Sequence, residues 1–95
     1  MSAASVFDFP FTAENATEGG ELATAVGHDM TLTEGYERHD VIRDVSNPAH
    51  VAVITFWHTQ AQGEAVLDKY MHDDKIARAT ALIGAAPTGF LGLAD

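Results

Sequence analysis

The sequence predicts one α+β domain of βαββαβ order, with two helices on one face of a four-stranded antiparallel sheet. Three observations predict it. Phe7, Phe9 and Phe11 alternate near the N-terminus, an apolar run at 51–58 follows a second strand-like run across a Ser46-Asn47-Pro48 turn, and two longer stretches repeat their apolar residues at helical spacing.

The first strand is expected at about 5–11, with one aromatic face. Pro10 cannot donate to a ladder, so a bulge, an edge or an end is expected there. From Thr12 to about Met30 the candidate caps Thr12 and Asn15, the early acids Glu14, Glu18 and Glu21, and the apolar set Leu22, Ala25, Val26 and Met30 predict an amphipathic helix. Gly19-Gly20 weakens its start by about 1 kcal/mol per glycine relative to alanine.

Gly35 marks a turn. Tyr36 to Val45 then reads as the second strand, and Val51 to His58 as the third, a hairpin closed by Ser46-Asn47-Pro48. Both alternate sets of 51–57 are apolar or nearly so, which predicts a strand covered on both faces. Gln60 to Ile83 turns helical, with a break near 72–74 where Asp73-Asp74 can cap a second segment. Gly84 and Pro87 end it, and Gly89 to Leu93 forms a short last strand. The two helices leave the other sheet face apolar and bare, and a second copy of the chain is the simplest cover.

Ninety-five residues (1–95) suit a single domain. A chain of this size removes only about 60–65 % of its unfolded surface from water, so a partner subunit would help a thin core. With 14 acidic and 5 basic residues the net charge is -9, which repels phosphate backbones and anionic lipid. Arg38, Arg43, Lys69, Lys75 and Arg78 form no dense run, so neither nucleic acid nor membrane is an expected partner. No stretch approaches the roughly 18 unbroken apolar residues of a membrane span. The absence of cysteine excludes disulfides, thiolate catalysis and Cys-based metal sites, and the N-terminus lacks signal-peptide character, which leaves the cytoplasm as the expected compartment.

Gly35 before strand two, Asp44 to Pro48 at the hairpin turn, and an apolar strand ending in Phe56-Trp57 before a helix that carries Tyr70 together resemble the antibiotic-biosynthesis-monooxygenase-like (ABM) family. The resemblance spans nearly the whole chain. It implies a ferredoxin-like fold assembled as a dimeric α+β barrel, a homodimer in which two sheets face each other with helices outside. Some members are cofactor-independent monooxygenases of aromatic polyketides or quinols, and some degrade haem. The haem-degrading branch pairs a strand-one asparagine with a histidine about nine or ten residues beyond the tryptophan. Here Val6 to Phe11 holds no asparagine, and Tyr70 and His72 come later, so haem degradation is disfavoured.

Trp57, the sole tryptophan, stands where a strand meets a helix and can stack on a flat aromatic substrate, or can simply close the core. By resemblance Arg78 matches the arginine of polyketide-oxidising members and would hold a phenolate or enolate. The plainer reading is a solvated charge paired with Asp74. Tyr70 and His72 lie near the helix break, where the imidazole can act as general base. Tyr36, His39 and Arg43 on strand two, with His58, are candidate substrate contacts. Odd–even alternation separates Tyr36 from His39 and Arg43 unless a bulge intervenes. The five histidines show no metal-ligand spacing, Phe7, Phe9, Phe11 and Phe90 read as core or dimer interface, and no nucleotide-binding glycine motif is present, so neither metal nor cofactor is expected. The expected function is cofactor-free oxygenation of a small aromatic, quinol-like or polyketide-like molecule by molecular oxygen. The rival is a non-catalytic dimeric ligand-binding module of the same fold.

Overall fold

The computed structural model describes residues 2–94. Along them run β1 (Ser2–Pro10), a short 3₁₀ turn (Ala13–Asn15), α1 (Ala16–Thr31), β2 (Tyr36–Arg43), β3 (His50–Trp57), α2 (Gln60–Tyr70), α3 (Asp74–Ile83) and β4 (Thr88–Ala94). The first and last residues of the 1–95 span lie outside the described residues. The strands form one antiparallel sheet in the order β2-β3-β1-β4. This is the α+β, ferredoxin-like order that the alternation and the helical spacing predict.

Local chemistry explains the boundaries. Pro10 is the last residue of β1 and pairs with His50, so its missing N–H falls at the end of the ladder. Asn15 Oδ1 accepts the Thr12 N–H at 2.9 Å, and the Asn15 amide donates to the Leu82 carbonyl at 2.8 Å, tying the start of α1 to the end of α3. Thr59 and Gln62 form a reciprocal capping box on α2. The predicted break is real: Asp73 Oδ1 accepts the Lys75 N–H at 2.9 Å and starts α3. Gly84 ends α3 at φ +87°, and Gly35 turns into β2 at φ +91°, both in the left-handed region that favours glycine.

The register puts the odd residues of the two central strands on one face. Ala3 faces Trp57, Ser5 faces Thr55, Phe7 faces Val53 and Phe9 faces Val51, and all eight are buried. The helices cover this face: Gly27 of α1 lies over His39, Gly63 of α2 over Trp57 and Leu91, and Tyr70 packs on Phe7 at 5.7 Å. Phe11, just past β1, stacks on Phe9 and is also buried.

The expectation that β3 is covered on both faces holds for one face within the chain, because both helical segments pack on the same side. On the other side Ala52, Ile54 and Phe56 are half-buried, while Ile42 and Phe90 are 51 % and 60 % exposed. Arg38 lies over the Phe56 ring at 3.9 Å and pairs with Asp40 at 3.0 Å. At the end of this open face His50 bridges two acids, with Nε2 2.7 Å from Asp8 and Nδ1 3.1 Å from Asp44. No helix among the described residues is long and apolar enough to cross a membrane.

Two predictions follow from the packing and charge. A Cβ at Gly19 would meet the buried Phe11 ring at 2.5 Å, whereas one at Gly20 would touch only the Arg43 guanidinium at 3.5 Å. Gly19→Ala should therefore lower the unfolding free energy by about 1–3 kcal/mol through overpacking, despite its better helix propensity. Gly20→Ala should leave it equal or raise it by up to about 1 kcal/mol, as urea titrations would show. The hydrogen bonds that His50 donates to Asp8 and then Asp44 raise the His50 pKa, against the smaller opposing effect of burial. A raised folded-state pKa adds stability that is complete below the unfolded value of about 6.5 and is lost as pH rises through the folded value. Thermal melts between pH 5.5 and 9 should show this loss in the wild type and a flatter profile in His50→Gln. Parallel profiles would remove His50 from the account.

Candidate functional site

A polar row crosses the helix-covered face of the sheet. In register, His39 of β2 faces Thr55 of β3, and Thr55 faces Ser5 of β1. The flanking row of Val41, Val53 and Phe7 is apolar, so three polar side chains stand together where the pattern of the core calls for hydrocarbon. Ser5 and Thr55 are fully buried.

Two aromatic residues join the row from its other side. Trp57, 0 % exposed, donates its indole N–H to Ser5 Oγ at 2.9 Å. A shift in the β2–β3 register between Tyr36 and Arg38 inserts one extra residue, so that Tyr36 faces Trp57 and shares the face of His39. The bulge on which a shared Tyr36–His39 face depended is therefore present. Tyr36 Oη and His39 Nδ1 are 2.7 Å apart, and the Tyr36 ring meets Trp57 edge-on at 6.4 Å. Arg43 is on the same face, but about 13 Å further along the strand at roughly 3.3 Å per residue, and it donates to the Pro48 carbonyl.

Glycines bring the roof down onto this row. A Cβ at Gly27 would come within 2.8 Å of His39 Nε2, and one at Gly63 within 2.6 Å of Leu91 and 3.2 Å of the Trp57 ring, so a larger residue at either position would force these side chains or the helix to shift. The result is a partly buried imidazole beside two aromatic walls and two buried hydroxyls.

A cleft of about 530 Å³ lies outside this roof, between the end of α1 and the face of α2, with Leu32, Gln62, Val66, Lys69 and Tyr70 among its lining residues. Val66 belongs both to the cleft wall and to the core cluster that holds Trp57. Tyr70 donates its hydroxyl to Asp29 Oδ2 at 2.7 Å, and Lys75 Nζ is 2.8 Å from the same oxygen. Burial, then the bond to Asp29 and its negative charge, push the Tyr70 phenol far above its ordinary range, so it stays protonated as a donor. Burial alone would raise the Asp29 carboxyl, but hydrogen bonds from Lys75 and Tyr70, with the charges of Lys75 and His28, outweigh it and hold the group below the usual carboxylate range.

Three further residues singled out in the sequence lie apart from both features. His72 is exposed at the α2–α3 junction. His58 is exposed, its Nδ1 3.7 Å from Glu37. Arg78 is exposed and pairs with Glu18 of α1, through Nε at 2.9 Å and through a second short contact, rather than with Asp74. The reason is geometric: α3 packs beside α1, and the acid on the neighbouring helix meets the guanidinium. No group of three or more histidines and acids is placed to hold a metal among the described residues. Ser5, Thr55, Asp29 and Lys75 are additions of the structure. A sequence signal existed for the first two: each is a polar residue at an odd, inward position of an apolar strand.

No family model matches the chain, and neither does any curated protein sequence. Solved structures do match over its whole length. A variant of SnoaB, a cofactor-independent oxygenase from Streptomyces nogalater, superimposes with a TM-score of 0.71 at 17 % identity, over 98 % of this chain and 92 % of that one. A structure named antibiotic biosynthesis monooxygenase gives 0.65 at 22 % identity, covering 100 % and 97 %. A conserved protein from Methanosarcina mazei Go1 gives 0.72 at 13 %, covering 100 % and 94 %. The likeness shows that the chain has the fold of the antibiotic biosynthesis monooxygenases.

The Tyr70–Asp29–Lys75 contact ties all three helices together. Tyr70→Phe should lower the unfolding free energy by about 1.5–3 kcal/mol, the contribution of a hydrogen bond to a charged group, when followed by denaturant titration at pH 7. Because the folded-state pKa of Asp29 is depressed, its contribution is present above the unfolded value near 3.8 and is lost as pH falls through the folded value. The gap between wild type and Tyr70→Phe should therefore narrow in acid.

Proposed function

We propose that this chain, sharing the fold of the antibiotic biosynthesis monooxygenases, is a cofactor-independent monooxygenase of a small aromatic, quinol-like or polyketide-like substrate. The observation that carries this reading is the Tyr36–His39 pair beside Trp57: a base held next to an aromatic wall, screened from bulk water by two helices. In this reading the substrate enters from the cleft over Tyr70, whose wall residue Val66 also belongs to the core cluster that holds Trp57. In the tautomer that donates Nδ1–H to the Tyr36 oxygen, His39 Nε2 is the free base; it faces Gly27 of α1, so α1 moves outward for a substrate to reach it in this reading. The imidazole removes a proton from an acidic methylene or phenol. The carbanion passes one electron to molecular oxygen, the radical pair recombines to a peroxide, and loss of water leaves a carbonyl. The net change is CH₂ + O₂ → C=O + H₂O, with oxygen as the sole oxidant. Base catalysis of this kind contributes about 10²–10⁴-fold. His39 takes the role that the sequence suggested for His72, since His72 is exposed at the junction of α2 and α3.

The working unit in this reading is a cytoplasmic homodimer that closes a dimeric α+β barrel through the open sheet face. The apolar surface around Ile54, Phe56 and Phe90 supports it, as a contiguous apolar face is a usual mark of association. A second reading, a non-catalytic ligand-binding module, is favoured by one observation: the Trp57 N–H is already bonded to Ser5 and its ring is fully buried.

Oxygen uptake by metal-stripped protein with anthrones and hydroquinones, after subtraction of autoxidation, separates the readings. His39→Gln should lower turnover at least about 100-fold and Trp57→Phe at least about 10-fold, while Arg78→Gln keeps the wild-type rate. No uptake, with saturable quenching of Trp57 fluorescence, would select the binding module.

A further inference from the structure

His50 opens β3 with its side chain on the open face, its Nε2 2.7 Å from Asp8 of β1 and its Nδ1 3.1 Å from Asp44 just past β2. Both ring nitrogens thus meet a carboxylate. A neutral imidazole has one N–H and turns a lone pair toward one of the two acids, whereas an imidazolium donates to both, so the geometry fits the protonated ring. Arg43 is the other charged residue around the small hollow, about 180 Å³, where the bridge meets Ile42 and Ala52, and its guanidinium donates to the Pro48 carbonyl. The side chains of His50, Asp8 and Asp44 are still 33 %, 38 % and 36 % exposed, so a second copy seated on this face would take water from all three. The remaining histidines lie elsewhere: His39 under α1, His28 on α1, His72 at the α2–α3 junction and His58 past the end of β3 beside Glu37.

We propose that the Asp8–His50–Asp44 bridge is a pH-sensitive switch for the pairing of two copies through the open sheet face, which holds while His50 is protonated and weakens when it is not. This rests on the reading of the working unit as a homodimer. With the proton in place the cluster carries one net negative charge. Without it two carboxylates face the second copy with no counter-charge, and pairing takes away the water that solvates them. The bonds that His50 donates to Asp8 and then Asp44 raise its pKa in the single chain. Pairing raises it further, because a doubly charged cluster is harder to take out of water than a singly charged one. The gain in pairing is therefore complete below the single-chain value and is lost as pH rises through the value in the pair. With one such imidazole per copy, the dissociation constant rises at most about 100-fold per pH unit.

Sedimentation equilibrium at pH 6 and pH 9, over a series of chain concentrations, gives that constant, with far-UV circular dichroism to check folding. The wild type is expected to pair at least about tenfold more weakly at pH 9 than at pH 6. His50→Gln, which has no proton to lose, should pair weakly at both. Asp8→Asn combined with Asp44→Asn removes both charges, keeps an acceptor for the Ser46 N–H, and should pair tightly at both. A wild-type constant that is flat with pH, or that changes equally in His50→Gln, overturns the switch and leaves the homodimer standing. A flat constant with a melting temperature that falls with pH equally at every chain concentration would assign the bridge to clamping the strands of one chain. A wild type that sediments as a single chain at both pH values overturns the homodimer and the switch together.

Discussion

The pairing of β1 with β3, in the register that sets Ser5 beside Thr55 and Phe7 beside Val53, is the constraint on which the rest of the molecule depends. Strand side chains alternate, so a slip of one residue would send the aromatic stack of β1 to the open face and bring Asp8 under the helices. The hydrophobic effect forbids that exchange. Phe7, Phe9, Val51, Val53 and Trp57 all reach the core only in the observed register, and the polar row follows as a by-product of the same choice.

Once the register is set, close helix packing shapes the site. Gly27 and Gly63 let α1 and α2 approach His39 and Trp57 more closely than any other residue would allow. A bulge at the start of β2 then turns Tyr36 toward the same row. The row therefore combines groups from three strands under two helices, with an imidazole, two aromatic walls and two hydroxyls in one place. Such an arrangement departs from the all-apolar core that stability alone would favour, and a departure of this kind is a mark of function.

The open face has a different character. Its centre is apolar, its edge carries the Arg38–Asp40 pair, and its far end carries the His50 bridge between Asp8 and Asp44. In a chain of net charge -9, the Arg38–Asp40 pair places a cation against an acid, and His50 does the same for Asp8 and Asp44 when it is protonated, on a surface that would otherwise repel a second copy.

By itself, the sequence determined what depends on neighbours along the chain. Alternation of Phe7, Phe9 and Phe11, the Asp73 cap, the left-handed Gly35 and Gly84, and the end of β1 at Pro10 were all legible, because each is a local matter of period, cap or dihedral angle. Tyr36, His39 and Trp57 were legible as candidates by residue type, but their assembly was not. Only the tertiary structure decided that Tyr36 shares a face with His39, since one inserted residue in a strand leaves no trace in composition. It also decided that Arg78 meets Glu18 and that Tyr70 meets Asp29, pairings across 60 and 41 residues that arise from how the helices dock. The meaning of Ser5 and Thr55 belonged to the tertiary structure for the same reason. A hydroxyl in a strand is ordinary until register and burial show which groups are left for it to bond.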